Sequence, residues 1–165
     1  MRVVIVPGAL ALLPAYRGLV DPVADLRKVC EEAVAWLLED GARTVEVLGD
    51  ERIAGALLQG AEIGAPGDAL LVVANGSARR STTSPGYLDE RSLPYDEQVE
   101  SALARGDLAT LRSLDPTLGD DLLCANIAGL VELGARFSTC SSSELRYADD
   151  PYGVRYWVVC LTCES

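Results

Sequence analysis

Residues 69–81 read ALLVVANGSARRS, and the change of character between Ala74 and Asn75 decides the fold. Ala69 to Ala74 is an uninterrupted apolar run with no outward polar face, the pattern of a strand buried on both sides of a sheet. Asn75, Gly76 and Ser77 end it with turn-forming residues. Toward the N-terminus, Val3 to Val6 is a β-branched run that stops at Pro7-Gly8 and reads as another buried strand ending in a loop. Asp21 supplies an N-cap and Pro22 a first-turn proline. Val23, Leu26, Val29, Cys30, Ala33, Val34 and Leu37 then recur at helical spacing until Gly41. Thr44 to Leu48 is a further strand, and Glu51 to Leu58 is helical in part. Strand, helix, strand with such apolar strands predicts an α/β domain, a central mixed and largely parallel sheet flanked by helices on both faces.

Beyond the opening stretch, residues Asn75 to Pro94 sustain no period and are rich in Ser, Thr, Arg, Gly and Pro. A loop of about twenty residues inside a compact domain is uncommon and more often functional than decorative. Helix resumes over Tyr95 to Ala104 and ends at Gly106, and a short helix follows from Asp107 to Leu114. Asp115-Pro116 breaks it, and Leu122 to Leu133 reads as one further helix ending at Gly134. Ser138 to Ser143 is small and polar and reads as a flexible connection. Glu144 to Tyr147 and Val154 to Leu161 are closing strands joined by a turn at Asp149-Asp150-Pro151-Tyr152-Gly153.

With 165 residues, 49% of them hydrophobic, the chain can bury one real core, so residues 1–165 are expected to form a single domain. A net charge of −11 repels polyphosphates and anionic membranes, so neither nucleic acid nor a membrane is expected as a partner. No apolar run approaches the roughly 18 residues that span a bilayer, and the opening residues lack the features of a secretory leader. The expectation is a soluble, cytoplasmic protein.

The chain has no histidine. The commonest general base, the commonest transition-metal ligand and the middle member of most nucleophile triads are therefore missing. Ser77 and Ser81 have no imidazole to activate them, and the one lysine, Lys28, sits in an early helix. The abundant carboxylates, among them Asp89, Glu90, Asp149 and Asp150, show no spacing that marks an acid and base pair. Neither a metal nor another cofactor is expected. The candidate ligand-binding residues are Asn75, Gly76 and Ser77, beyond the carboxyl end of an apolar strand, with Gly8 at the end of the first strand. Arg79 and Arg80, an adjacent basic pair, could clamp a carboxylate or phosphate, or could simply offset surrounding acid.

Five cysteines make an odd number, and a disulfide framework is not expected in a reducing compartment. Cys160 and Cys163 form a CxxC that could serve redox or metal chemistry. They follow a strand, however, whereas redox pairs usually open a helix.

Three segments, VVIVPGALALLPAY (3–16), NGSARRSTTSPGYLDERSLPYDEQVESALARGDLATLRSLDP (75–116) and LRYADDPYGVRYWVV (145–159), resemble the LigB-type branch of the class III extradiol ring-cleavage dioxygenases. The likeness is to the short actinobacterial proteins grouped with that branch and with the Memo-like proteins. It implies an extradiol dioxygenase-like sheet and, in active members, non-haem iron held by two histidines and a glutamate, with another histidine assisting. The position of a VPH-like ligand histidine is here Gly8, and that of the assisting histidine in a GDxSH-like motif is here Ala78. The resemblance thus implies the fold without the iron site, with a small-molecule pocket for an anionic or aromatic ligand used for binding rather than oxidation. Two alternatives stand beside it: an enzyme whose cavity has been taken over by cysteine or carboxylate chemistry, and a non-catalytic partner chain in a larger complex, with homo-oligomerisation also open.

Overall fold

The computed structural model describes residues 1–18 and 20–165. Its strands are β1 Arg2–Val6, β2 Thr44–Leu48, β3 Glu62–Ile63, β4 Ala69–Val73, β5 Thr139–Asp149 and β6 Tyr156–Glu164. They form a single sheet in the order β3-β2-β4-β1-β6-β5. The pairs β3–β2, β2–β4 and β4–β1 are parallel, with Val3 opposite Leu70 and Val45 opposite Ala69, while β6 runs antiparallel to β1 and β5 antiparallel to β6. The fold is an α/β domain with a mixed, mostly parallel sheet flanked by helices. All five residues of β4 are buried, because neighbouring strands take its edges and helices take both its faces.

The period of two along each strand divides the core between the faces. On one face Val4, Val6, Leu71, Val73 and Val158 meet α1 (Ala24–Leu38) and α2 (Glu51–Leu58). On the other, Val3, Ile5, Leu70, Val72, Trp157 and Val159 meet α3 (Ser92–Arg105), α4 (Leu108–Arg112) and α6 (Ile127–Arg136). Each such fully buried aliphatic side chain contributes about 1.5–3 kcal/mol. No helix among the described residues is long and apolar enough to cross a membrane.

Several local expectations need correction. Asp21 does not cap α1, which begins at Ala24 after Val23. Its carboxylate instead accepts from Val23 N at 3.0 Å and from Arg27 Nε at 2.6 Å, bracing the turn ahead of the helix. Asp115-Pro116 does follow the end of α4 at Arg112, but it also opens an unexpected short helix, α5 (Pro116–Asp121), with Asp115 as N-cap and Pro116 in the first turn. Residues 122–133 are not one helix: Leu123 and Asn126 adopt positive φ (58° and 54°), and Asn126 caps α6 by accepting from Gly129 N. Asparagine tolerates that conformation and bonds its own backbone, so it ends one apolar run and starts another. Ser138 to Ser143 is not a flexible connection, because β5 begins at Thr139 and pairs with β6 from there on.

Candidate functional site

The helices that follow β1 and β4 lie on opposite faces of the sheet, so the crevice between the carboxyl ends of these two neighbours is a topological switch point. Gly8 and Asn75, both singled out in the sequence, meet there. Asn75 Oδ1 accepts from Gly8 N at 3.1 Å, and its Nδ2 donates to the Gly76 carbonyl. Asn75 also forms an isolated antiparallel bridge with Ala125. A second asparagine, Asn126, closes the neighbouring gap by donating from Nδ2 to the carbonyls of Leu48 and Val73, each at 3.1 Å. The strand ends are thus laced together by two amides. A Cβ added at Gly8 would lie 3.0 Å from Asn75 Oδ1, which would have to give by a few tenths of an ångström, and in ordinary contact at 3.6 Å with Ala125 Cβ.

Gly76 and Ser77 are buried rather than at a pocket mouth. A Cβ on Gly76 would come within 2.6 Å of Asp96 Oδ1 and 2.7 Å of Trp157 Cη2, so the glycine lets the chain cross the indole and not a ligand. Ser77 is fully buried and gives both its N–H and its hydroxyl to Asp96, at 2.9 and 2.6 Å. Asp96, only 1% exposed on α3, also accepts from Arg80 at 2.6 Å, and Arg80 Nε reaches Asp150 at the same distance. Burial alone would lower the Arg80 pKa, but hydrogen bonds to Asp150 and Asp96 reverse the direction and raise it. Arg80 therefore clamps two carboxylates of its own chain rather than an external anion. Beside this network Glu100 Oε2 accepts from Arg155 at 2.6 Å and from Trp157 Nε1 at 2.9 Å.

Arg79 differs from its neighbour. Its Nη1 donates to the Asp121 carbonyl at 3.0 Å, and its Nε is buried without a hydrogen-bond partner. A donor buried and left unpaired is a cost to the fold rather than a contact offered to an approaching molecule. The Arg79 stem and Leu123 both press on Gly86, since a Cβ there would lie 2.6 Å from Arg79 Cγ and 2.5 Å from Leu123 Cδ1. Leu123 and the two residues after Gly86, Tyr87 and Leu88, expose 51%, 74% and 46% of their surfaces. Tyr87 holds a positive φ of 59° and Leu123 one of 58°, conformations that favour glycine and cost energy for bulky residues. Arg79 Nη1 also lies 4.0 Å from Asp89 Oδ2, so the cation beside this exposed aromatic and aliphatic surface is loosely paired within its own chain. Surface hollows of about 270 and 340 Å³ lie elsewhere, the first between Pro22, Leu26 and Tyr147, the second between Arg2, Leu37 and Asp68.

The cysteines do not gather as the CxxC suggested. Cys160 and Cys163 are three apart on a strand, so they face opposite sides of the sheet. Cys163 instead forms a disulfide with Cys140, its register partner on β5, contrary to the expectation that none is present. Cys30, Cys124 and Cys160 remain free thiols. Burial pushes Cys30 and Cys124 up to about 12 and Cys160 to about 11, which leaves none of them a thiolate near neutral pH. Among the described residues no group of three or more His, Cys, Asp or Glu side chains could hold a metal ion. Sequence reasoning missed Asp96 and set Asp150 aside as one carboxylate among many, because these partners of Arg80 lie 16 and 70 residues away along the chain. Compared with protein-family models and with curated proteins, the chain matches none.

Proposed function

We propose that this chain is a LigB-type, Memo-like relative of the extradiol dioxygenases that has no ring-cleavage activity and binds a small aromatic anion instead. The observation that carries the reading is the lacing of Gly8 to Asn75 at the switch point. An iron site in the resembling enzymes needs imidazole at the positions of Gly8 and Ala78, and neither is present. Asn75 Oδ1 crowds the position of a Gly8 side chain, Ala78 is buried with its N–H on the Leu122 carbonyl, and Asp96, the buried carboxylate among the described residues, is held by Arg80 and Ser77. These residues do not fit ferrous iron, which requires neutral nitrogen donors and open coordination positions.

Of the anticipated ligand contacts, Arg79 is the one that fits best. Its guanidinium, on a side chain 32% exposed and paired with Asp89 only at 4.0 Å, supplies charge for a carboxylate, and Tyr87 with Leu123 supplies an apolar surface for a ring. The high cysteine pKa values give the cysteine-enzyme alternative no support.

Titration with benzoate and with 3,4-dihydroxybenzoate, followed by amide NMR, tests the reading beside oxygen uptake in the presence of added ferrous iron. Shifts at Arg79, Tyr87 and Leu123, weakened on Arg79→Gln and unaccompanied by oxygen uptake, are the expected outcome. Ring cleavage, or binding that ignores Arg79→Gln, overturns it.

A further inference from the structure

We propose that the Cys140–Cys163 pair is a thiol–disulfide exchange site whose redox state decides whether the first half of β5 is docked on the sheet. The disulfide joins the register partners Cys140 and Cys163 near one end of the β5–β6 ladder, next to an irregularity in β5 between Cys140 and Ser142. The strand segment it holds, Thr139 to Ser143, has no other apolar side chain and consists of Thr and Ser around the cysteine. Serine is a poor strand former, and the segment lies on the outer edge of the sheet. Without the cross-link it is held by ladder bonds and by hydroxyl contacts, Ser141 Oγ to the Thr162 carbonyl at 3.2 Å and Ser143 Oγ to the Leu103 carbonyl. Such contacts are individually worth little in water. The rest of β5, from Leu145 to Ala148, packs against both core layers and does not depend on the bridge.

The two sulfurs differ in access. Cys163 is fully buried, whereas Cys140 is half-buried beside the turn at Gly106, where a Cβ would sit 3.1 Å from Cys140 Cβ. An external thiolate therefore enters at Cys140 Sγ, forming a mixed disulfide as the Cys163 sulfur leaves and takes up a proton. A second thiol attacks that mixed disulfide and releases Cys140 as a thiol. The net change is one protein disulfide and two external thiols giving two protein thiols and one external disulfide, and an oxidised low-molecular-weight thiol reverses it. Reduction frees Thr139 to Ser143, uncovers the matching edge of β6 and loosens the seat of the α3–α4 turn.

Equilibration of the full chain with reduced or oxidised glutathione, followed by alkylation mass spectrometry and amide hydrogen exchange, tests this. In the oxidised buffer Cys140 and Cys163 are expected to resist alkylation and appear as one cross-linked peptide. In the reduced buffer both become alkylated, and amides 139–143 lose protection on the order of a hundredfold while those of β1 and β4 keep theirs. The double variant Cys140→Ser with Cys163→Ser is expected to show the loosened segment in both buffers. No cross-linked peptide under oxidising conditions, equal protection of 139–143 in both buffers, or loss of protection throughout the sheet on reduction each overturns the proposal.

Discussion

Asp96 is the buried carboxylate on which the β4–α3 loop is hung. It is 1% exposed and accepts three hydrogen bonds, two from Ser77 and one from Arg80. Replacing it with alanine leaves the Ser77 amide unpaired and takes from Arg80 one of its two carboxylates. Breaking a buried pair from one side costs about 3–5 kcal/mol. Asp96→Ala is therefore expected to lower the urea midpoint sharply, whereas Arg17→Ala, which breaks the exposed contact with Glu31, should leave it unchanged. Equal effects of the two changes in urea unfolding would mean that the buried network is not what holds the β4–α3 loop. The same residue shows what the sequence hides. Arg79 and Arg80 look equivalent as an adjacent pair, and only the approach of α3 and the β5–β6 hairpin separates them into an internally clamped cation and one with a free donor.

At the scale of the element, local rules were sufficient wherever an apolar run met a clear stop. The strands β1, β2 and β4 and the helix α1 stand close to where periodicity put them, because a continuous apolar stretch or a 3.6-residue stripe has few other ways to be buried. Elements held by partners distant in sequence were not legible. The two-residue β3 has both side chains exposed, and the serine-rich start of β5 becomes a strand only through its pairing with β6. Of the candidate residues, the rule for strand ends picked out Gly8 and Asn75 separately, and the parallel pairing of β1 with β4 is what brings them together. Gly76, Ser77 and Arg80 turn inward because Trp157 and Asp96, far along the chain, arrive beside them. Helix α2 offers a test at this scale. Its N-cap Asp50 accepts from Arg52 N at 2.9 Å, and the Arg52 side chain beside it, together with that backbone bond, holds the carboxyl at about 2 against an ordinary 3.8. A depressed folded-state pKa stabilises above the unfolded value and is lost as pH falls through the folded one. Asp50→Asn keeps a capping oxygen but removes the charge. The stability gap between the two proteins in urea titrations should be open near pH 6 and close between about pH 4 and pH 2. A gap independent of pH over that window would show that the charge contributes nothing to the cap.

For the whole molecule the governing quantity is the imbalance of 25 acidic against 14 basic residues, a net charge of −11. The basic side chains are largely engaged: Arg27 with Asp21, Arg80 with Asp96 and Asp150, Arg136 with Glu46, Arg155 with Glu100. What remains uncompensated is acid on the outside, which repels itself most in the compact state. Salt shortens the range of that repulsion, from a Debye length of about 30 Å at 0.01 M to about 10 Å at 0.1 M. The pairs that matter for the fold are screened far less: Arg80 and Asp96 have side chains 15% and 2% exposed and touch at 2.6 Å. Raising sodium chloride from about 10 mM to about 200 mM should therefore raise the thermal midpoint, with sodium chloride and sodium bromide acting alike because the effect is one of screening. If the midpoint falls instead, attraction within exposed pairs such as Arg2 with Glu39 and Asp40 outweighs the net repulsion. The charge would then be organised for stability despite its sign. A rise places the stabilising electrostatics inside, around Asp96, and leaves the acidic exterior to act on what approaches, where it disfavours polyanions.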